Sequence, residues 1–303
     1  MNIPYNQVTK SFLHSFGQIM LQGNMLTGLL FLIGIGLNSP LMLLGASIAT
    51  LAGLVCAKLL QYDLDSFQNG LYGFNAALVG IAVFFFLPPS VFSLALVISG
   101  GVLATVVMHF MQLKLSVFSA YTAPFVISTW LILTVVNIAG IDRLTVPLAT
   151  TTIGDFYSVL RGVGQVMFQD YWLSGVVFIA GILLHSFKAA TWAVIGSGLG
   201  MLTARIFSFS EDLLLVGSYG FNACLVAIAL SAHFEQKRWP VLYGIVLSGI
   251  VLSVLLTRFF EFMPLPALTA PFVLSSWLVI LLVRINHKYA THYQRKIKST
   301  FSN

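Results

Sequence analysis

Long apolar stretches alternate with short polar breaks along the whole chain. In the first half, four of these stretches approach the length of a membrane span: residues 40–60, 70–87, 91–110 and 122–139. A helix needs about 20 predominantly apolar residues to cross a bilayer. The pattern therefore predicts membrane-spanning helices, and the second half shows corresponding stretches at residues 189–207, 217–232, 240–258 and 270–283.

Each half opens with a shorter and more polar stretch. Residues 4–22 are only moderately apolar, and Gln18 and Gln22 lie four residues apart, a spacing that puts both on one face of a helix. A short apolar stretch, residues 26–37, follows. A half-length polar helix before a span indicates a re-entrant element, which a membrane allows only where it is buried in protein or lines a cavity. Residues 156–169 and 172–184 repeat this arrangement.

Three blocks of sequence recur at one constant offset of 147 residues. Residues 122–130 and 269–277 agree at 7 of 9 positions, residues 72–79 match residues 219–226, and residues 17–22 match residues 164–169. Matches at a fixed spacing indicate an ungapped internal duplication. We therefore divide the chain into a first repeat, residues 1–147, and a second repeat, residues 148–303.

Each repeat is predicted to contain one half-helix and five spans. Because five is odd, the second repeat enters the membrane from the opposite side, which makes the duplication an inverted-topology repeat. The predicted fold class is an all-α integral membrane protein, with about ten transmembrane helices and two half-membrane re-entrant helices. Pro124 falls in the first turn of a predicted helix, so Thr122 is expected at or just before its start.

Composition excludes a soluble protein and charge indicates the orientation. The chain is 58% hydrophobic and 8% charged, whereas a soluble domain carries about 25% charged residues. An N-terminus on the inner side places 11 of the 15 basic residues inside, as the positive-inside rule requires. We predict a multi-pass protein of the cell inner membrane with both termini cytoplasmic and a basic tail at residues 284–303. Scattered basic residues do not indicate nucleic acid binding.

The candidate chemistry consists of neutral polar groups that recur in both repeats. All nine acidic residues fall at predicted loops or helix ends, which argues against ion coupling. A symmetric set of amides and hydroxyls suits a small neutral solute that must exchange its water for pore hydrogen bonds. The recurring polar pairs are Gln18/Gln165, Gln22/Gln169, Asn75/Asn222, Thr122/Thr269 and Ser128/Ser275.

Several roles stay open from the residues alone. Asn75 and Asn222 join helices or clamp broken backbone, and a structural role is favoured. Either Phe74 and Phe221 or Phe125 and Phe272 line the slot, and spacing does not say which pair. The two cysteines are expected to be packing residues. With no nucleophile–base pair or metal-ligand set at mid-depth, we predict no enzyme and no cofactor.

Residues 265–272, Leu-Pro-Ala-Leu-Thr-Ala-Pro-Phe, carry a resemblance to a known family. They resemble the Leu-Pro-x-x-Thr-x-Pro-Phe signature of the urea transporters, of bacterial type. Residues 118–125 keep Thr-x-Pro-Phe but have Phe-Ser in place of Leu-Pro. The blocks around Asn75 and Asn222, the Gly-Gln-x-Met-x-Gln blocks, the chain length and the twofold repeat are also similar to that family.

The resemblance implies passive, channel-like urea transport through each protomer of a homo-oligomer in the lipid bilayer, usually a trimer. It implies a solute pathway lined by Gln18, Leu21, Phe74, Leu78, Thr122, Gln165, Phe168, Phe221, Leu225 and Thr269. Leu21 departs from the pattern, because its mate is Phe168 and a ring is expected there, so we expect a looser slot in the first half. The alternatives are a channel for ammonia, water or short amides, a coupled secondary transporter and a membrane-embedded enzyme.

Overall fold

The computed structural model describes residues 5–115, 118–144 and 154–300, and over these residues the chain is helical. The regular structure of these ranges is fourteen α-helices and one 3-10 helical turn, without a strand, which confirms the predicted all-α class there. The first seven helices are α1 (Tyr5–Gln18), α2 (Met25–Asn38), α3 (Pro40–Leu59), α4 (Leu64–Gln68), α5 (Phe74–Phe86), α6 (Val91–Lys114) and α7 (Ala123–Ile138).

The other seven helices follow the first seven at the spacing of the sequence repeat. They are α8 (Asp155–Gly164), α9 (Trp172–His185), α10 (Phe187–Ile206), α11 (Glu211–Leu215), α12 (Gly220–His233), α13 (Trp239–Phe260) and α14 (Ala270–Thr300). The 3-10 turn, Gln165–Met167, directly follows α8. The bounds of α2, α3 and α4 coincide with those of α9, α10 and α11 after a shift of 147 residues. The predicted boundary between the repeats lies outside the described residues.

Among the described residues, three helices are long and apolar enough to cross a membrane, namely α3, α6 and α13. The pair formed by α8 with its 3-10 turn and α9 is bent by 74°, and counting it as one span gives four. Shorter apolar helices accompany these: α2, α5, α7, α12 and the apolar part of α14. Helix length alone does not establish how often the chain crosses the membrane. The sequence-based total of about ten crossings with two re-entrant helices therefore stays a prediction.

Two central helices, α5 and α12, are buried along almost their whole length. Burial is continuous from Phe74 to Phe84 in α5, and from Asn222 to Ser231 in α12. Close packing of α5 on α3 requires small residues, because a Cβ on Gly80 would lie 2.2 Å from the carbonyl oxygen of Gly45. These two helices therefore form the core on which the other helices pack.

Helix α1 ends earlier than the sequence pattern predicts. It ends at Gln18, and the chain then turns at Leu21, whose φ is 62°. Gln22 lies in this turn, where its Nε2 donates to the carbonyl oxygen of Met20 at 2.8 Å. The prediction that Gln18 and Gln22 share one helix face is therefore wrong. The turn needs a glycine, since a Cβ on Gly17 would lie 2.2 Å from the carbonyl oxygen of Gln22.

The second half-helix ends in the same way. Phe168, after the 3-10 turn, has φ 60°, and Nε2 of Gln169 donates to the carbonyl oxygen of Met167. A Cβ on Gly164 would lie 2.4 Å from the carbonyl oxygen of Gln169. Glycine and glutamine thus build the same tight turn twice, with Leu21 in one turn and Phe168 in the other at the position of positive φ.

Two five-residue helices, α4 and α11, were missed in the sequence, because so short a helix has too few turns to show a periodic pattern. Each begins at a capping side chain. Asp63 accepts from the backbone N–H of Ser66 at 2.8 Å, and Ser210 accepts from that of Leu213 at 3.5 Å. The hydrogen bond from Ser66 lowers the pKa of the Asp63 carboxyl below its usual value.

Helices α7 and α14 begin as the sequence predicts. Thr122 immediately precedes α7, and Pro124 lies in its first turn, where the missing N–H costs no helical hydrogen bond. Thr269 takes the same place before α14. Directly before each threonine the backbone is left-handed, with φ 47° at both Tyr121 and Leu268.

Helices α2 and α9 pack against each other in opposite directions. The Thr27 hydroxyl donates to the carbonyl oxygen of Gly181 at 2.7 Å, and the Ser174 hydroxyl donates to that of Gly34 at 2.7 Å. As the residue number rises along α2 it falls along α9, so the two helices are antiparallel. The two bonds exchange equivalent positions, since residues 27 and 34 become 174 and 181 after a shift of 147.

Candidate functional site

Two threonines from equivalent positions meet at the centre of the molecule. The hydroxyl of Thr269 donates to the hydroxyl of Thr122 at 2.7 Å, and each residue is 2% exposed. The left-handed residue and the helix start described above place each side chain at the N-terminal end of its helix. The pair therefore joins the two halves through side chains that occupy the same position in each.

Asn75 holds the backbone on both sides of Thr122. Its Nδ2 donates to the carbonyl oxygen of Tyr121 at 3.3 Å, and its Oδ1 accepts from the backbone N–H of Phe125 at 3.1 Å. The N–H of Phe125 belongs to the first turn of α7, where no intrahelical acceptor exists. One buried side chain thus pairs with the carbonyl of Tyr121 and with the N–H of Phe125. Asn75 therefore clamps the broken backbone, which is one of the two roles that the sequence left open.

Asn222 does the same in the second half. Its Nδ2 donates to the carbonyl oxygen of Leu268 at 3.2 Å, and its Oδ1 accepts from the N–H of Phe272 at 3.1 Å. Because the side-chain amides of Asn75 and Asn222 both hydrogen-bond to the backbone, they position the threonines and do not offer free groups to a solute.

Two tryptophans connect the halves on either side of the threonines. Nε1 of Trp130 in α7 donates to the carbonyl oxygen of Pro266 at 2.9 Å, and Nε1 of Trp277 in α14 donates to that of Ser119 at 2.9 Å. Each tryptophan therefore holds the loop that leads into the threonine of the other half.

The first cavity has a volume of about 570 Å³, and its lining extends to Tyr121, the residue before Thr122. Asp63 and His109 lie at this cavity together with neutral polar and apolar side chains. The lining includes Gln18, Leu21, Phe74, Phe118 and Tyr121. Because Tyr121 directly precedes Thr122, this cavity ends next to the threonine pair.

The second cavity has a volume of about 390 Å³ and reaches the pair from the other side. The lining includes Gln165, Phe168, Phe221, Leu268 and Thr269. The two cavities are therefore lined by equivalent residues from the two halves, and the Thr122–Thr269 contact lies between them. The larger cavity is the one with Leu21, and the smaller is the one with Phe168, whose ring packs on Phe85 at a centroid distance of 4.8 Å.

Gln18 and Gln165 are oriented alike at the two cavities. Nε2 of Gln18 donates to the carbonyl oxygen of Asn69 at 3.0 Å, and Nε2 of Gln165 donates to that of Val216 at 3.2 Å. A backbone carbonyl only accepts, so it fixes the amide nitrogen of each side chain towards the protein. The side-chain Oε1 is then the group that can accept a hydrogen bond from a solute.

Other candidates from the sequence lie away from the cavity linings. Leu78 and Leu225 are fully buried in α5 and α12, one helical turn beyond Phe74 and Phe221. Neither leucine belongs to the lining of the two cavities.

Of the two phenylalanine pairs that the sequence left open, Phe74 and Phe221 lie at the cavities, while Phe125 and Phe272 are buried outside both linings. Of the other recurring pairs, Ser128 and Ser275 are fully buried, and Gln22 and Gln169 build the turns described above.

The carboxylates at the cavities are already engaged by other groups. Glu261, at the second cavity, accepts from the hydroxyl of Tyr219 at 2.7 Å and forms an ion pair with Arg258. Asp63 caps α4, as described above. In the ranges that the structure covers, no group of three or more His, Cys, Asp or Glu side chains could hold a metal ion. The cavity chemistry is therefore mainly that of amide, hydroxyl and aromatic groups.

Comparison with known proteins gives consistent matches over most of the chain. A family model described as urea transporter matches residues 9–284. Urea transporter 1 of Ovis aries is 27% identical over 299 residues, with 90% of this chain and 77% of the relative covered. Urea transporter 1 of Rattus norvegicus is 26% identical over 294 residues, with the same coverage.

Proposed function

This chain belongs to the urea transporter family and moves urea across a membrane, and we propose that it does so passively, through a channel-like route that passes the threonine pair. The observation that carries this proposal is the Thr269–Thr122 hydrogen bond between two cavities with equivalent linings. Gln18, Leu21, Phe74 and Thr122 form one side of the route, and Gln165, Phe168, Phe221 and Thr269 form the other. Leu78 and Leu225 support the rings from behind.

The groups along this route match the chemistry of urea. Urea is planar and carries four N–H donors and one carbonyl acceptor. Burying such a polar group without a partner costs on the order of 2–7 kcal/mol. The pathway must therefore replace the hydrogen bonds that urea loses when its water is removed. Oε1 of Gln18 or Gln165 accepts at each cavity, the threonine hydroxyls accept in the middle, and aromatic faces add weak N–H contacts.

A route of this composition does not need an ion gradient. The centre holds two hydroxyl groups bonded to each other, and the carboxylates at the cavities are held by a helix start or by an arginine. Coupled carriers normally contain an ionisable group within the membrane that binds and releases the driving ion. We therefore propose facilitated diffusion down the urea gradient.

We propose an inverted repeat in which residues 1–147 and 148–303 form two halves, each with one re-entrant half-helix and five spans. The antiparallel packing of α2 on α9 supports it. A twofold axis that exchanges two packed helices makes them antiparallel only if it is perpendicular to them, and such an axis lies in the membrane plane. The exchanged bonds of Trp130 and Trp277 support the same axis.

We propose that both termini and the first cavity face the cytoplasm, in the cell inner membrane. The count of basic residues, 11 inside and 4 outside, supports this orientation. The second cavity then faces outward, on the side of Arg205 and Arg258. The family resemblance supports a homotrimer, with one pathway in each protomer.

Urea flux into proteoliposomes tests the passive route. Purified protein in vesicles without any ion gradient is expected to speed urea entry until the concentrations inside and outside are equal, whereas empty vesicles stay slow. Repeating the measurement with an imposed proton or sodium gradient gives the control. Accumulation of urea above the outside concentration, dependent on that gradient, would contradict facilitated diffusion.

A further inference from the structure

A buried cation lies beside the second cavity. Arg161, in α8, is 7% exposed, and its Nη1 donates to the carbonyl oxygen of Leu215 at 3.3 Å, while its Nε has no hydrogen-bond partner. Within the part of the chain that the structure describes, no carboxylate lies within ion-pair distance of it. Removing an unpaired charge from water is costly, and such a group within a membrane protein calls for a functional explanation.

Arg161 is next to the proposed pathway. It precedes Gln165 by four residues, so both side chains lie on the same face of the half-helix. Their head groups donate to consecutive carbonyls of one segment, Arg161 to Leu215 and Gln165 to Val216. Gln165 lines the second cavity and Arg161 does not, so the guanidinium group lies beside the cavity, on the carbonyl next to the one that Gln165 uses.

The charge of Arg161 is only partly offset by its surroundings. Leu215 is the last residue of α11, and the carbonyl end of a helix carries at most about half a negative charge. The neighbouring carboxylates are paired with other arginines: Glu261 with Arg258, and Asp155 and Glu211 with Arg205. The guanidinium group of Arg161 therefore keeps its charge without a carboxylate as ion-pair partner among the described residues.

We propose that Arg161 makes the pathway selective for neutral over cationic solutes, and in particular that it excludes the guanidinium ion. Guanidinium is planar, has nearly the size of urea and presents N–H donors in the same plane. A flat slot with glutamine and threonine acceptors does not separate the two by shape or hydrogen bonding. A fixed buried cation does, because repulsion between like charges is strong where water is scarce.

The first half differs at the matching position. His14 lies there, 8% exposed, and its ring interacts with the backbone of Gln68, the residue equivalent to Leu215. The two half-helices therefore differ in charge: α8 has the permanently charged Arg161 four residues before Gln165, and α1 has His14 four residues before Gln18. A single fixed cation in a serial pathway is enough to exclude cations, whichever side they enter from.

The test is the ratio of guanidinium to urea flux in the same proteoliposomes, with potassium and valinomycin holding the membrane potential at zero. This inference rests on the proposed pathway, so urea flux tests the pathway and the ratio tests Arg161. Arg161→Gln keeps a donor for Leu215 but loses the charge, and we expect the ratio to rise about tenfold or more. Arg161→Lys keeps the charge and should keep the low ratio. An unchanged ratio in folded Arg161→Gln overturns the proposal.

A second variant keeps the test informative if Arg161→Gln does not fold. Arg161→Met keeps an unbranched side chain and removes the charge together with the donor to Leu215. We expect the guanidinium-to-urea ratio to rise about tenfold or more, as in Arg161→Gln, while Arg161→Lys and the wild type keep the low ratio. A wild-type ratio in folded Arg161→Met overturns the proposal.

Discussion

Each central threonine has one hydroxyl proton and two lone pairs, so the Thr122–Thr269 bond leaves acceptor capacity on both oxygens. Thr269 donates in the structure and lines the second cavity, where its lone pairs can accept an N–H from urea. Rotation of the two hydroxyls reverses the donor, which provides the same acceptor on the other side. On the proposed route, the pair can therefore accept a hydrogen bond from urea that arrives from either side.

Replacing Thr269 with valine tests this role. The change keeps the shape but removes the acceptor, and one hydrogen bond contributes about 1 kcal/mol, so we expect urea flux to fall about fivefold to tenfold. Stopped-flow light scattering of proteoliposomes measures it. Thr134→Val is the matched control, because Thr134 is exposed on α7 and bonds only to the carbonyl oxygen of Trp130 in its own helix. Equal flux in Thr269→Val and wild type would remove the hydroxyl from the mechanism.

Leu21 and Phe168 allow a test of slot width. Leu21→Phe adds a ring at the larger cavity, so we expect N-methylurea and N,N′-dimethylurea flux to fall several-fold more than urea flux. Phe168→Leu is the opposite change in the other half, and it should raise the flux of the two methylated ureas relative to that of urea. The measurement is the flux of the three solutes in one set of vesicles. If Leu21→Phe slows all of them equally, the position does not discriminate by size.

At the scale of elements, α7 and α14 are positioned by asparagines that lie in other helices. Asn75 and Asn222 satisfy both ends of a left-handed turn that would otherwise leave buried backbone groups unpaired. This arrangement explains how a helix can start in the middle of the protein next to a solute pathway. It also explains why the two threonines have the same geometry.

Asn75→Ala should therefore destabilise the fold more than it changes the lining. Two buried backbone groups lose their partners, at about 1–3 kcal/mol each, so we expect a clearly lower melting temperature in detergent. Asn137→Ala is the control, since Asn137 is exposed at the end of α7. A melting temperature equal to that of wild type would show that the turn is stable without its clamp.

The long apolar helices and the recurring side chains could be predicted, because hydrophobic pattern and repetition can be seen directly in the sequence. The clamp of Asn75 could not be separated from helix–helix contact, because its partners lie about 50 residues away. Gln22 was wrongly placed on a helix face, because the helix stops at Gln18 and the turn depends on Gly17. The burial of Arg161 was also not visible, since the sequence shows it only as one of four basic residues on the outer side.

At the level of the whole molecule, equivalent residues from the two proposed repeats line the two cavities. Because the proposed pathway is coupled to no ion, the urea gradient alone sets the direction of net flux. The two halves differ at Leu21 against Phe168 and at His14 against Arg161. On the proposed pathway, the first difference changes the width of the slot and the second changes the charge beside the glutamine.

The inverted repeat predicts where the chain ends lie. The proposed ten crossings would put both termini on one side of the membrane, and the distribution of basic residues predicts that this side is the cytoplasm. Epitope tags at the two ends, probed in intact and permeabilised cells, should both become accessible only after permeabilisation. A loop tag near Arg143 is the control and should be accessible in intact cells. Termini on opposite sides would contradict an even number of crossings.

The most direct measurement of the central claim is urea flux through a protein that can be closed at the threonine pair. Thr122→Cys with Thr269→Cys puts two thiols where the hydroxyl oxygens are 2.7 Å apart, and oxidation is expected to join them. If urea passes between these two residues, the oxidised double variant loses urea flux, reductant restores it, and neither single variant responds. Full urea flux through protein whose disulfide is verified by mass spectrometry would contradict a pathway between these two residues.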